Sequence, residues 1–294
     1  MRNILYYLGK IQDTRKNTGK RYKLTSILPL VILLYGAGPT SIADVYRFGK
    51  EVMKIKTYNL KDEKRNRDIP IAIYTPNNNA TNLSTVIFSP GYQGQKELNQ
   101  TGAKLAYQNY TYLAEYFTAK NYAFISIQHD VPGDIDGLES IDPLANQHDA
   151  RKHLYSRGEE NINFTIRKLS RQFPHFNFDK FIIVGHSNGG DIARFFACNA
   201  PQQISYLITF DARRCHIETN QKLKILMFEA TDTSTDKGVI PDEGTQDNPK
   251  RANLEWVIVK PLRAFHKSYK DDHITNEIKD KVYKMLDWFL SCIS

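Results

Sequence analysis

The chain has 294 residues, 41% hydrophobic and 24% charged, a globular composition long enough for one α/β domain with a substantial core. Its net charge of +8 is front-loaded: the first 43 residues hold seven Lys/Arg against one acid, and the remainder carries 33 basic against 31 acidic residues. With the remainder near neutral and no basic-aromatic stripe in it, nucleic-acid binding is excluded as an expectation; three cysteines are too few for a disulfide scaffold.

In chain order, Leu24 to Gly38 is an apolar stretch behind a basic flank and ahead of Ser41-Ile42-Ala43, whose small residues suit a signal peptidase. Residues 1–43 therefore read as a secretory leader cleaved near Asp44, giving an exported protein. The alternative is a retained membrane anchor through 24–38, a run short of the ~20 residues a spanning helix needs. Residues 44–294 read as a single domain.

From Val52 onward, short β-rich runs alternate with longer helical patterns, which predicts a mostly parallel sheet with helices on both faces. Lys54 to Tyr58 and Ile69 to Tyr74, split by the charged segment Lys61 to Asp68, read as a leading antiparallel hairpin. Strands follow at Thr85 to Ser89, Tyr122 to Gln128, Phe181 to Val184, Tyr206 to Phe210, Lys224 to Phe228 and Leu254 to Val259. Apolar spacing predicts helices over Leu98 to Thr118, Arg157 to Arg171, Asp191 to Cys198 and Thr275 to Leu290. Between them, 130–152 is rich in Asp, Pro, Gly and His without periodicity and reads as a cap or rim loop, its histidines (with His129 and His153 beside it) taken as loop polar groups rather than metal ligands. Asn77-Asn78-Asn79 reads as a loop. Cys198 and Cys215 are either buried free thiols or one bridge.

The chemistry gathers at Gly185-His186-Ser187-Asn188-Gly189-Gly190, which has a strand behind it and a helix ahead. A Gly-x-Ser-x-Gly turn in that setting holds its serine on a strained strand-to-helix bend, with the hydroxyl clear of the sheet at the positive end of a helix. A serine needs a base to take its proton, and a histidine after the last strand is the expected one. His266 fits, with His273 as the rival. Two carboxylates lie in the right order to orient that imidazole: Asp211 at the end of the strand Tyr206 to Phe210, and Asp232 after the strand Lys224 to Phe228. Oxyanion donors are expected from the amide of Asn188 and from that of Tyr92 in the loop Ser89-Pro90-Gly91-Tyr92-Gln93-Gly94, with the Tyr92 ring as a wall of the acyl pocket. No CxxC or HExxH pattern occurs, and the chemistry calls for neither metal nor organic cofactor.

These motifs resemble those of the α/β-hydrolase superfamily, in the neighbourhood of the platelet-activating-factor acetylhydrolase-like enzymes, chlorophyllases and polyester hydrolases. Pro90-Gly91-Tyr92 is similar to the oxyanion loop of cutinase-like polyester hydrolases, the residues 185–190 to the family elbow, and Ser126-Ile127-Gln128-His129-Asp130 to the segment after the corresponding strand in acetylhydrolase-like members. The resemblance implies an eight-stranded α/β-hydrolase fold and a serine hydrolase cleaving carboxylic esters of short-chain acyl or lipid type. In the acetylhydrolase-like branch the acid falls on Asp211, in the cutinase-like enzymes on Asp232. The chain departs from many members in having Ser89-Pro90 where they carry a histidine before glycine, and in its Arg213-Arg214 pair. The competing expectation is a binding or surface protein that kept the fold without catalysis.

Overall fold

The computed structural model describes residues 53–78, 81–219, 221–240 and 253–291. The leader at 24–38, the cleavage position near Asp44, Asn79 and Cys292 lie outside the described residues. Among those described, no helix is long and apolar enough to cross a membrane.

Eight strands form one sheet: β1 Met53–Asp62, β2 Arg67–Pro76, β3 Leu83–Ser89, β4 Tyr122–Ile127, β5 Phe176–His186, β6 Ile204–Phe210, β7 Leu223–Phe228 and β8 Leu254–Val259. Their spatial order is β1-β2-β4-β3-β5-β6-β7-β8. The β1–β2 and β2–β4 pairs are antiparallel, and every pairing from β4 through β3 to β8 is parallel. The expected leading hairpin is present, with strands longer than the apolar pattern showed, because exposed Lys and Asp residues also pair.

Among the described residues, six α-helices accompany the sheet: α1 Gln95–Leu98, α2 Thr111–Ala119, α3 Gln147–Ala150, α4 Lys152–Gln172, α5 Ser187–Asn199 and α6 Asn276–Ser291. Successive strand residues point to opposite faces, and here both faces are apolar, as a sheet covered on two sides requires. Val86, Phe88, Ile182, Val184 and Phe210 pack with Leu113 and Phe117 of α2 and Val282 and Leu286 of α6. Ile87, Ile183, Leu207 and Ile225 pack on the other face with Ile162 and Leu169 of α4 and Ile192 and Phe196 of α5.

The expectation of one helix over Leu98 to Thr118 is corrected. α1 ends at Leu98, Gly102 takes a left-handed φ of +77°, a short 3₁₀ turn covers Ala106–Gln108, and α2 starts afresh at Thr111. Glycine adopts that backbone without a Cβ clash, so the turn is satisfied where a helix would have left it strained. The new start is capped from far along the chain: Asp271 accepts from the Thr111 amide at 2.9 Å, the Thr111 hydroxyl at 2.8 Å and the Tyr112 amide at 3.3 Å. Apolar spacing could not show a cap 160 residues away. Other helices are longer than read: α5 begins at the serine itself, and α4 begins at Lys152, so the loop expected over 130–152 ends one residue earlier and contains α3.

Neither Cys198 nor Cys215 is in a disulfide, so the bridge alternative does not form. Cys198 Sγ accepts from the Glu218 amide, and Cys215 Sγ donates to the His216 carbonyl, each at 3.3 Å.

Because Asp271 supplies the acceptors for the first turn of α2, Asp271→Ala is expected to lower stability by about 1–2 kcal/mol, measured by urea unfolding. An unchanged midpoint would show that solvent replaces the cap.

Candidate active site

The site is built where β3, β5, β6, β7 and β8 end. β5 runs into α5 through Ser187, whose φ of +53° lies in the left-handed region that a side-chain-bearing residue rarely adopts. The bend is enforced by close backbone packing. A Cβ on Gly189 would stand 2.1 Å from the Ser89 carbonyl oxygen and 2.2 Å from that of Pro90, so the first turn of α5 lies directly on the loop after β3. Of residues 185–190, only Ser187 is not buried.

The His266 imidazole is met by Asp211, whose Oδ2 accepts the Nδ1 proton. Asp211 itself is held with φ of +46°, its amide bonded to the Phe228 carbonyl. Its Oδ1 accepts from the Ala230 amide at 3.1 Å, and the Thr233 hydroxyl lies 2.9 Å from both carboxylate oxygens. Burial pushes this carboxyl up, but the His266, Ala230 and Thr233 bonds outweigh it, and the net pKa lies below the ordinary 3.8. Asp232, the other expected carboxylate, does not reach the imidazole. Its Oδ1 accepts from the main-chain amide of His266 at 2.7 Å. Both sequence candidates thus converge on His266, one on the ring and one on the backbone. His273 sits apart, half exposed, its Nε2 3.8 Å from Asp272.

Behind His266 runs a buried chain of hydrogen bonds. The Gly91 amide donates to Tyr110 Oη at 3.2 Å, Tyr110 Oη lies 2.8 Å from His186 Nδ1, and His186 Nε2 lies 3.0 Å from the His266 carbonyl. A carbonyl can only accept, so His186 carries its proton on Nε2 and takes the Tyr110 hydroxyl proton at Nδ1. Burial lowers the His186 pKa well below its ordinary value, in keeping with a neutral ring. The His186 and His266 rings lie 4.8 Å apart. The motif drew attention to Ser187. The motif does not reveal the roles of His186 and Tyr110, the one signal being a histidine where the motif accepts any residue.

The chain also sorts the amides near the serine. Gly91 N–H is taken by Tyr110, whereas the Tyr92 amide has no acceptor among the described residues. The Asn188 amide lies in the first turn of α5, where helix amides lack intrahelical acceptors. Burial and the nearby Glu139 of the rim segment both raise the Tyr92 pKa, so the loop after β3 and the rim approach each other at this ring. The Ser187 hydroxyl makes no hydrogen bond to His266 among the described residues; such contacts commonly tighten only with substrate bound.

Of the histidines around the rim, His129 is buried, its Nε2 2.9 Å from Ser89 Oγ, and His153 Nε2 lies 3.0 Å from the Asp136 carbonyl. His148 stacks on His216 with ring centroids 4.2 Å apart. Among the described residues, no three or more His, Cys, Asp or Glu side chains converge as a metal site would need.

Solved structures share this arrangement of sheet and helices. An S-formylglutathione hydrolase from Agrobacterium tumefaciens matches with a TM-score of 0.52 at 12% identity, covering 83% of this chain and 96% of that one. The fold is that of the α/β hydrolases. Within the same fold, a fungal esterase from Rhizomucor miehei matches with a TM-score of 0.52 at 11% identity, covering 90% and 97%. Esterase 2 of Thermogutta terrifontis matches with a TM-score of 0.53 at 16% identity, covering 83% and 95%. In sequence, a candidate esterase/lipase of Haemophilus influenzae is 30% identical over 91 residues, 28% of this chain, and the match spans about a third of that relative, 32%. No protein-family model matches the chain.

Two buried neutral imidazoles give this domain an acid-sensitive interior. Burial lowers the His129 pKa from 6.5 to about 3, and that of His186 well below 6.5. The unfolded chain binds the extra protons, so stability is full above pH 6.5 and falls below it by about 1.4 kcal/mol per pH unit for each ring. Urea unfolding between pH 7.5 and 5 is expected to show this slope, and a His129→Asn variant a shallower one; equal slopes would mean His129 is protonated in the folded state.

Proposed function

We propose that the protein hydrolyses carboxylic esters through Ser187, His266 and Asp211, with the Tyr92 and Asn188 amides as the oxyanion hole. The observation that carries this reading is the Asp211 carboxylate on His266 Nδ1, which leaves Nε2 of a neutral imidazole as the base. Ser187 Oγ attacks the ester carbonyl as its proton passes to His266 Nε2. The carbonyl oxygen becomes an oxyanion facing the two amides. Collapse breaks the ester C–O bond, and the imidazolium returns the proton to the departing alcohol. Water, deprotonated by the same nitrogen, then attacks the acyl-enzyme, releasing the acid and restoring Ser187.

The esterases among the structural neighbours and the esterase/lipase relative support ester chemistry. A carboxylate at the end of the strand after the elbow helix is the arrangement expected of the acetylhydrolase-like branch, which favours short-chain acyl or lipid esters. Asp232 acts by fixing the His266 backbone. The basic-then-apolar leader supports export: N-terminal sequencing of protein recovered from its native host is expected to begin near Asp44, and an intact Met1 would reject cleavage.

The deciding experiment is hydrolysis of 4-nitrophenyl esters, acetate through long chains. Ser187→Ala should abolish turnover and fluorophosphonate labelling, and Asp211→Asn should cost about 10⁴-fold in kcat, because its amide can hold the wrong imidazole tautomer. Asp232→Asn should cost about tenfold, because the acceptor for the His266 amide remains but loses its charge. Absence of turnover and labelling in the unaltered protein would instead support a non-catalytic binding protein.

A further inference from the structure

Two cavities are rich in cations, and they differ in how those cations are spent. In the larger, about 790 Å³, every arginine is already matched: Arg65 by Asp62 and Glu160, Arg67 by Asp134 and Arg157 by Asp130. The second, about 570 Å³, is different. Arg151, Arg214 and Lys237 line it with His148 and His216, and Asp236 is its only acid.

Within this second cavity Asp236 is committed to Arg214. Arg151 donates Nε to Gln147 Oε1 at 3.0 Å, and its two terminal nitrogens have no acceptor among the described residues. His148 Nδ1 accepts from the His216 amide at 3.2 Å, which leaves its Nε2 as a donor. Burial lowers the pKa of Arg151, and Arg214 and Arg213 lower it further against the opposing pull of Asp191 and Tyr155. The cavity therefore presents donors and positive charge in excess of its acceptors.

Its placement ties it to the site. Asp191 stands one helical turn past Ser187 on α5, and its Oδ1 accepts from the Arg214 and Cys215 amides, each at 2.9 Å. Arg213, between Arg214 and the end of β6, has Nε 3.5 Å from Asp211 Oδ2. Leu138 of the rim also lines the cavity, next in sequence to Glu139, whose charge acts on Tyr92 in the loop after β3. The cavity thus lies between the segment after Asp211 and the rim at Leu138.

We propose that this cavity binds an oxyanion, carboxylate or phosphate in type, at the far end of the acyl group of the ester substrate. Arg151 supplies the planar fork of donors suited to such a group, and Lys237 and His148 complete its partners. The inference rests on the ester-hydrolysis reading for its substrate, but the anion site itself can be tested apart from it.

The test compares 4-nitrophenyl hexanoate, mono-4-nitrophenyl adipate and 4-nitrophenyl 6-phosphonohexanoate, alike but for the terminal charge. The adipate or phosphonate ester should exceed the hexanoate in kcat/KM by about tenfold or more, chiefly through KM, and which of the two is preferred names the anion. Arg151→Gln should bring the ratio of charged to neutral ester toward one, and Arg151→Lys should restore part of it. Equal kcat/KM on all three esters, or a preference that survives Arg151→Gln, overturns the proposal and leaves ester hydrolysis standing. If no ester is turned over, the ester-hydrolysis reading fails, and calorimetry with adipate and with inorganic phosphate decides: binding lost in Arg151→Gln upholds the anion site, and no binding to the unaltered protein overturns it.

Discussion

The geometry of the candidate site depends on one buried chain of hydrogen bonds, from the Gly91 amide to the Tyr110 hydroxyl to the His186 ring to the His266 carbonyl. It joins three loops far apart in sequence: the one after β3, the elbow itself and the one after β8. Each member can make its bond in only one sense, since the amide only donates and the carbonyl only accepts. Tyr110 is fixed in turn by the start of α2, which Asp271 caps from the same loop that carries His266. The loop after β3 and the imidazole are therefore registered against each other through the elbow, in an interior where each bond is stronger than in water.

Against that frame, the site holds backbone in costly conformations. Ser187 and Asp211 both have positive φ, each of order 1–2 kcal/mol for a residue with a side chain. The contacts that keep them there are local and stiff: the packing of Gly189 on the Ser89 and Pro90 carbonyls, and the Asp211 amide bonded to the Phe228 carbonyl. Strain held in this way places the serine hydroxyl outside the sheet and turns the Asp211 carboxylate toward the next loop.

Charge is distributed with a similar economy. Asp211 and Asp232 address different parts of one histidine, so the ring is oriented while the backbone that carries it is fixed. Around the rim, the arginines of the larger cavity are neutralised by acids, whereas those beside α3 and the segment after β6 are only partly matched. That contrast separates an ion-paired wall from a surface able to receive an anion.

Sequence alone determined the alternation of strands and helices, because strands buried on both faces are apolar runs that stand out in a polar chain. It also determined the elbow, because a strained serine turn packed against another loop tolerates few residues but glycine at its flanks. It overran at Leu98 to Thr118, where apolar spacing continued across a break made by Gly102 and a distant Asp271 cap. Tertiary structure alone decided which of Asp211 and Asp232 meets the imidazole, since both follow strand ends at suitable spacing and only the path of the loops after β6 and β7 separates them. The same holds for Tyr110 and His186, and for the meeting of Arg151 with Arg214. Local composition sets which elements form, whereas partnerships between residues tens of positions apart arise only when parallel strands bring their loops to one edge of the sheet.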